Sequence, residues 1–301
     1  MSSPSLQSLR SHYATTLKRF IASSKSFEIL NSTPQKQQQH QHPPPPQVLY
    51  VLDSSFNPPT LAHLLIASSP FLEKPTLPSR LLLLLATQNA DKPSKPASFE
   101  DRLVMMDLFA HDLRSHLEAT FVANTATSTP PSSPPQVDIG VTKKPYFVDK
   151  ATAIDSAGVY PPGLPQTHLI GYDTLIRIFN TKYYPPHHTL KPLQPFLAQN
   201  HLRVTVRPDD EWGDIEHQRA FLEALSNGRL EKEGGQPEWA HRVRFVEGTK
   251  PGQEPVSSTR ARTAAIASDT EKGQRDLETL VPRRVYEYLV SGHPYAASAE
   301  L

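Results

Sequence analysis

The sequence predicts an α/β fold, a Rossmann-like doubly wound sheet that is mostly parallel and carries helices on both faces. Three observations predict it. Short apolar runs of buried-strand type occur at Val48 to Leu52 (VLYVL) and at Arg80 to Thr87 (RLLLLLAT). Stretches with helical spacing accompany them, the clearest running from Phe99 through Leu103, Met106, Ala110 and Leu113 to Leu117 in steps of four and three. Three more strand-like segments follow, at His168 to Gly171, Leu202 to Val206 and Val243 to Glu247. Repeated β-α alternation of this kind is satisfied by a parallel sheet covered on both sides.

In chain order, residues 1–34 read as an N-terminal amphipathic arm. Leu6, Leu9, Tyr13, Leu17, Phe20 and Ile21 recur at helical spacing, which predicts a helix docking on the main domain. No acidic residue precedes Glu28, while Arg10, Lys18, Arg19 and Lys25 do, a composition shared with mitochondrial presequences. Residues 35–47 (QKQQQHQHPPPPQ) have no apolar periodicity and read as an extended linker, so that deleting Gln35 to Pro46 is expected to leave turnover intact. The main domain then spans 48–301. Thr60 to Ser69 is helical in composition and is expected to stop before Pro70. Ser98 caps the long helix that starts at Phe99. Near 124–136 a Ser/Thr/Pro stretch reads as a surface insertion that does not fold. Tyr146 to Asp155 reads as a further helix, and another starts at Asp173. Pro282 opens a last helix with Val285, Tyr288 and Leu289 inward and Gly292 as its stop.

Composition narrows the function. The chain of 301 residues has 31 basic and 30 acidic side chains, so no overall field recruits nucleic acid or membrane. It has no cysteine, hence no disulfide framework, thiolate zinc site or cysteine nucleophile. Its longest apolar run, Leu81 to Ala86, is far short of a membrane span. A soluble, non-redox protein of the cytoplasm or nucleus is expected, with the mitochondrion as the alternative that the basic arm allows.

Three strand-to-helix junctions carry residues suited to chemistry. At Asp53 to His63 (DSSFNPPTLAH), Thr60 and His63 are three apart and share a face at the start of a helix, where free amides favour an anion. Pro58 and Pro59 stiffen the loop before it. At Pro255 to Arg262 (PVSSTRAR), hydroxyls open a helix whose Ala261, Ala264, Ala265 and Ile266 face inward, and Arg262 stands one turn in with a forked donor. At Leu169 to Leu175 (LIGYDTL), Gly171 allows close approach, and Asp173 either caps a helix or accepts bonds from ribose hydroxyls.

The first string resembles the signature of the nucleotidylyltransferase superfamily, and in particular its nicotinamide-mononucleotide adenylyltransferase branch, where it runs G-S-F-N-P-x-T-x-x-H. Ser55, Phe56, Asn57, Pro58, Thr60 and His63 match in place, while Ser54 stands where the pattern has glycine. The second resembles the family's I-S-S-T-x-x-R, with Val256 for isoleucine and Ser257, Ser258, Thr259 and Arg262 intact. Gly171 and Asp173 resemble its G-x-D. Arg102 to Met106 is similar to its R-x-x-M helix, and the final helix is similar to its V-P-x-x-V-x-x-Y-L close. The resemblance covers about Val48 to Tyr295 and points to a divergent branch of fungal or plant type.

The resemblance implies a nucleotidylyltransferase fold and transfer of the adenylyl group of ATP to nicotinamide mononucleotide, with in-line attack and no covalent intermediate. His63, Thr60 and Arg262 are then the catalytic residues. Ser55, Phe56, Asn57, Ser257, Ser258 and Thr259 bind ATP phosphates, and Gly171 and Asp173 bind ribose or acceptor. Lys92 or Lys95 adds a second cation. A Mg2+ ion travels on the ATP phosphates, since no carboxylate cluster marks a protein cage. Phe56, Tyr146, Tyr172 and Trp212 are candidates to stack on a pyridinium ring. Other acceptors (nicotinate mononucleotide, phosphopantetheine, a phosphoalcohol with CTP) and a nucleotide-binding protein without turnover are the alternatives. The expected partners are small molecules, not nucleic acid or membrane; oligomeric state is not legible.

Overall fold

The computed structural model describes residues 5–34, 44–73, 77–88, 97–123, 134–206, 213–248 and 256–296. Helix α1 (Leu6–Ala22) and strand β1 (Phe27–Thr33) come first, followed by β2 (Val48–Asp53), α2 (Leu61–Leu72), β3 (Ser79–Ala86) and α3 (Phe99–Ala123). Next are β4 (Gln136–Thr142), α4 (Phe147–Ser156), β5 (Gln166–Gly171), α5 (Tyr172–Ile178), α6 (Leu193–Gln199) and β6 (His201–Val206). The chain closes with α7 (Ile215–Ser226), β7 (Val243–Glu247), α8 (Ser258–Ile266), α9 (Glu271–Glu278) and α10 (Arg283–Gly292).

The strands form one seven-stranded sheet in the order β1-β4-β3-β2-β5-β6-β7, parallel except for β1. The run of leucines in β3 is needed because successive side chains point to opposite faces and both faces are covered. Leu81, Leu83 and Leu85 pack with Phe109 of α3, Ala261 of α8 and Val285 of α10. Leu82 and Leu84 turn the other way, onto Ile154 of α4, Tyr160 and Phe27. The β5–β7 half has its own cluster with α5, α6 and α7, including Leu175, Phe196 and Leu225.

Residues 5–34 pack onto the main domain. Tyr13, Leu17 and Phe20 of α1 sit in the main core, and Arg10 pairs with Asp101 of α3 at 2.6 Å. β1, which reads in sequence as the tail of an arm, is the antiparallel edge strand beside β4. β4 itself starts at Gln136, the last residue assigned above to the Ser/Thr/Pro insertion, and is buried along its whole length. Residues 35–43 and 124–133 of the two low-complexity stretches lie outside the described residues.

Two helix ends also differ from expectation. α2 runs through Pro70 instead of stopping before it. Proline removes the donor that would reach the Ile66 carbonyl, and the Ser69 hydroxyl donates there instead, at 3.1 Å. In α10 the left-handed residue that ends the helix is His293 (φ 42°), so Gly292 is its last turn and not its stop.

Candidate active site

The strand order reverses at β2, which has β3 on one side and β5 on the other. Ligands of such sheets bind beyond the carboxyl ends of the strands at that switch point. A cavity of about 850 Å³ opens there, walled by Asp53 at the end of β2, Ser54 and Ser55 after it, Leu85 and Ala86 of β3, and Asp173 of α5.

The first junction is held from within. Phe56 is fully buried with φ 45°, a left-handed backbone unusual for a bulky residue and costing about 1–3 kcal/mol. Its ring lies 5.6 Å from the imidazole of His63 and 6.3 Å from Phe109. Asn57 is buried too, and its side-chain oxygen accepts from the Tyr295 hydroxyl at 3.0 Å. The side chains of Phe56 and Asn57 therefore shape the loop from the core side, while Ser55 faces the cavity. Thr60 is the N-cap of α2, and its N–H donates to His63 Nδ1 at 3.1 Å. The T-x-x-H pair is thus a capping box in which an imidazole takes the usual glutamate's place. With Nδ1 accepting, the neutral ring carries its proton on Nε2, and Nε2 lies 2.9 Å from Ser54 Oγ.

The second junction does not sit at the end of its own strand. β7 is the sheet's far edge, and α8 returns across the molecule to the loop after β2. Ser258 Oγ donates to the Pro58 carbonyl at 2.9 Å, and Arg262 Nη1 donates to the Asn57 carbonyl at 2.8 Å. Ser257 caps α8, accepting from the Arg260 N–H, and Thr259 Oγ1 accepts from Arg262 Nη2 at 3.0 Å. Arg262 thereby fastens the two motifs together; a guanidinium has five N–H donors, so it keeps others for a ligand.

The third junction has Gly171 as the N-cap of α5, with Asp173 in the first turn. A Cβ on residue 171 would lie 2.8 Å from Asp173 Oδ1, so glycine here makes room for the carboxylate that walls the cavity. Tyr172 is not in the cavity wall. It is buried against Phe221 and Phe245, with ring centroids 6.4 and 6.2 Å away, and belongs to the core. Trp239 is likewise buried, beside Phe179. Tyr146 does line the cavity. Lys92, Lys95 and Trp212 lie outside the described residues.

The sequence reading missed several cations of the wall: Lys150, Arg177 and Lys182, with Arg102 quoted only as part of a helix. Lys150 is buried on α4 and ion-paired with Asp53. A lysine on the apolar face of a short helix was the available signal. Arg102 is 1% exposed; its Nε donates to the Ala97 carbonyl at 3.1 Å, and its Nη2 has no partner among the described residues. Burial lowers its pKa, with Arg262 adding to the effect. The wall thus brings four cations (Arg102, Lys150, Arg177, Lys182) together with two carboxylates (Asp53, Asp173), an excess of positive charge suited to phosphates. Among the described residues no group of three His, Asp or Glu could hold a metal ion.

No model of a known protein family matches the chain. A Schizosaccharomyces pombe protein, provisionally named a nicotinamide mononucleotide adenylyltransferase, is 32% identical over 249 residues, covering 82% of this chain and 86% of the relative. The chain belongs to the nicotinamide mononucleotide adenylyltransferase family. It is therefore a nucleotidyltransferase of NAD biosynthesis. Among solved structures, a Plasmodium falciparum nicotinic acid mononucleotide adenylyltransferase complexed with NaAD is 13% identical with a TM-score of 0.47, covering 82% of this chain and 97% of that one. A Thermotoga maritima TmcAL bound with alpha-thio ATP is 14% identical with a TM-score of 0.35, covering 80% of this chain and 55% of that one. The assignment of this adenylyltransferase rests on the Schizosaccharomyces pombe relative and on its own motifs.

Proposed function

We propose that the protein transfers the adenylyl group of ATP to the phosphate of nicotinamide mononucleotide, forming NAD and pyrophosphate. The observation that carries this reading is the fastening of α8 to the loop after β2, which joins the Ser257–Arg262 motif to the loop that leads from the cavity-lining Ser54 and Ser55 to Thr60 and His63. An acceptor phosphate oxygen forms a bond to the α-phosphorus as the bond to the pyrophosphate oxygen breaks. The protein supplies position and charge, with no nucleophile of its own. His63, as a neutral Nε2–H donor, stabilises charge on the reacting phosphates; Arg262, Ser257 and Thr259 hold the leaving pyrophosphate. Asp173 accepts from ribose hydroxyls, and Tyr146 offers a face to the pyridinium ring. Magnesium fits this site as an ion carried by the ATP phosphates, where it would neutralise charge.

Nicotinate mononucleotide is a second acceptor favoured by one observation: Arg177 and Lys182 line the cavity and would pair with its carboxylate. The experiment offers purified protein ATP and magnesium with each acceptor separately. NAD formed from nicotinamide mononucleotide, and lost by about a hundredfold or more in His63→Ala, supports the reading. Product from nicotinate mononucleotide alone selects the second acceptor, and no product from either removes both.

A further inference from the structure

In this chain a serine stands between the histidine of the T-x-x-H pair and the cavity. Ser54 lines the cavity wall, whereas His63 is absent from the described residues that line it. The geometry of the pair sets the direction of the hydrogen bond. The Thr60 N–H occupies Nδ1, so Nε2 is the donor and Ser54 Oγ, 2.9 Å away, is the acceptor. A hydroxyl that accepts still has its own O–H to donate, and among the described residues Ser54 Oγ has no other partner. The Ser54 N–H is bonded to the Leu84 carbonyl at 3.2 Å, which ties the residue to the end of β3 and fixes where that hydroxyl starts. Glycine, which the family pattern has at this place, puts no atom between imidazole and ligand.

We propose that Ser54 is a substrate-contacting residue: its O–H donates to a phosphate oxygen in the cavity while its Oγ accepts the Nε2–H of His63, so that the imidazole acts on the phosphate through the serine. Hydrogen bonds in such a chain polarise one another, and the histidine strengthens the serine as a donor. This rests on the adenylyl-transfer reading of the same site and adds a residue to it.

The test is a double-mutant cycle with Ser54→Ala, His63→Ala and the two combined, together with Ser54→Gly. We expect Ser54→Ala and Ser54→Gly each to lower kcat/KM by about tenfold or more, as loss of a bond to a charged group does. The combined variant loses less than the product of the two single losses, because the groups act in series. A Ser54→Ala enzyme with kcat/KM within about twofold of wild type, a Ser54→Gly enzyme that is faster, or losses that multiply fully in the combined variant would each overturn the serine's role. Calorimetric titration of the wild-type protein with ATP and with nicotinamide mononucleotide separates the two levels of failure. Wild-type binding and turnover with an unaffected Ser54→Ala sinks this inference alone; wild-type protein that binds and converts neither sinks the functional reading and this inference with it.

Discussion

Arg102 is buried in the cavity wall with one bond from Nε and an Nη2 that finds no partner among the described residues. A charge held this way opposes folding unless a counter-ion arrives, and stability given up in a binding site is a recurrent trade against function. Replacing it with an apolar side chain of similar length tests that trade. We expect Arg102→Met to raise the stability of the ligand-free protein by about 1–2 kcal/mol and to lower kcat/KM for adenylyl transfer by at least about tenfold. Thermal unfolding and steady-state kinetics on one preparation check both signs; a fall in Tm would make Arg102 a structural residue. His63 shows the opposite economy, since one side chain caps α2 through Nδ1 and keeps Nε2 for chemistry. Both roles follow from a spacing of three residues, which is why the T-x-x-H pair was legible in sequence. The Lys150–Asp53 pair was not, because its partners are brought together only by the fold.

At the scale of elements, β5 carries His168 into the interior. Its ring meets Phe147 at a tilt and Phe196 edge-on, its Nε2 meets Gln166, and burial followed by the nearby Lys150 charge lowers its pKa to about 3. The folded state therefore keeps His168 neutral where the unfolded chain, with a pKa near 6.5, takes up a proton. Below pH 6.5 the unfolded state binds more protons, so stability falls as pH falls, by up to about 1.4 kcal/mol per pH unit until the folded pKa is reached. Denaturant midpoints at pH 7 and pH 5 should separate for wild type more than for His168→Gln; equal separations would remove His168 as the cause. Most helices and the parallel strands were visible as periodicity. β1 and β4 were hidden for different reasons. FEILNST lies next to the Gln/Pro tract and contains no long apolar run, and QVDIGVT directly follows a Ser/Pro stretch that masks its start. Pro70 misled because the Ser69 hydroxyl that compensates it is a side-chain effect outside any propensity rule.

For the molecule as a whole, both low-complexity stretches enter the sheet at its amino-terminal end, opposite the cavity. Thr33 pairs with Val137 near the start of β4, and Val48 pairs with Ser79 at the start of β3. The end of β1 and the start of β2 are therefore three strand spacings apart, about 14 Å at about 4.8 Å each. Deleting Gln35 to Pro46 leaves only Pro34 and Gln47 between Thr33 and Val48, a reach of about 11 Å. We propose on that ground that the stretch is dispensable only in part. The full deletion should detach β1 and α1 and lower Tm sharply, whereas removing only Lys36 to His42 should leave Tm and kcat unchanged. Lengthening is tolerated better still, since doubling a closed loop costs only about 0.6 kcal/mol.

The same edge strand has a consequence for a cut chain. α1 and β1 are held to the rest by the Tyr13–Leu17–Phe20 packing, the β1–β4 ladder and the Arg10–Asp101 pair, none of which passes through residues 35–43. A protease that opened the backbone there would release nothing: the first 34 residues would stay seated as a non-covalent subunit, and the two fragments expressed separately should reassemble into one enzyme.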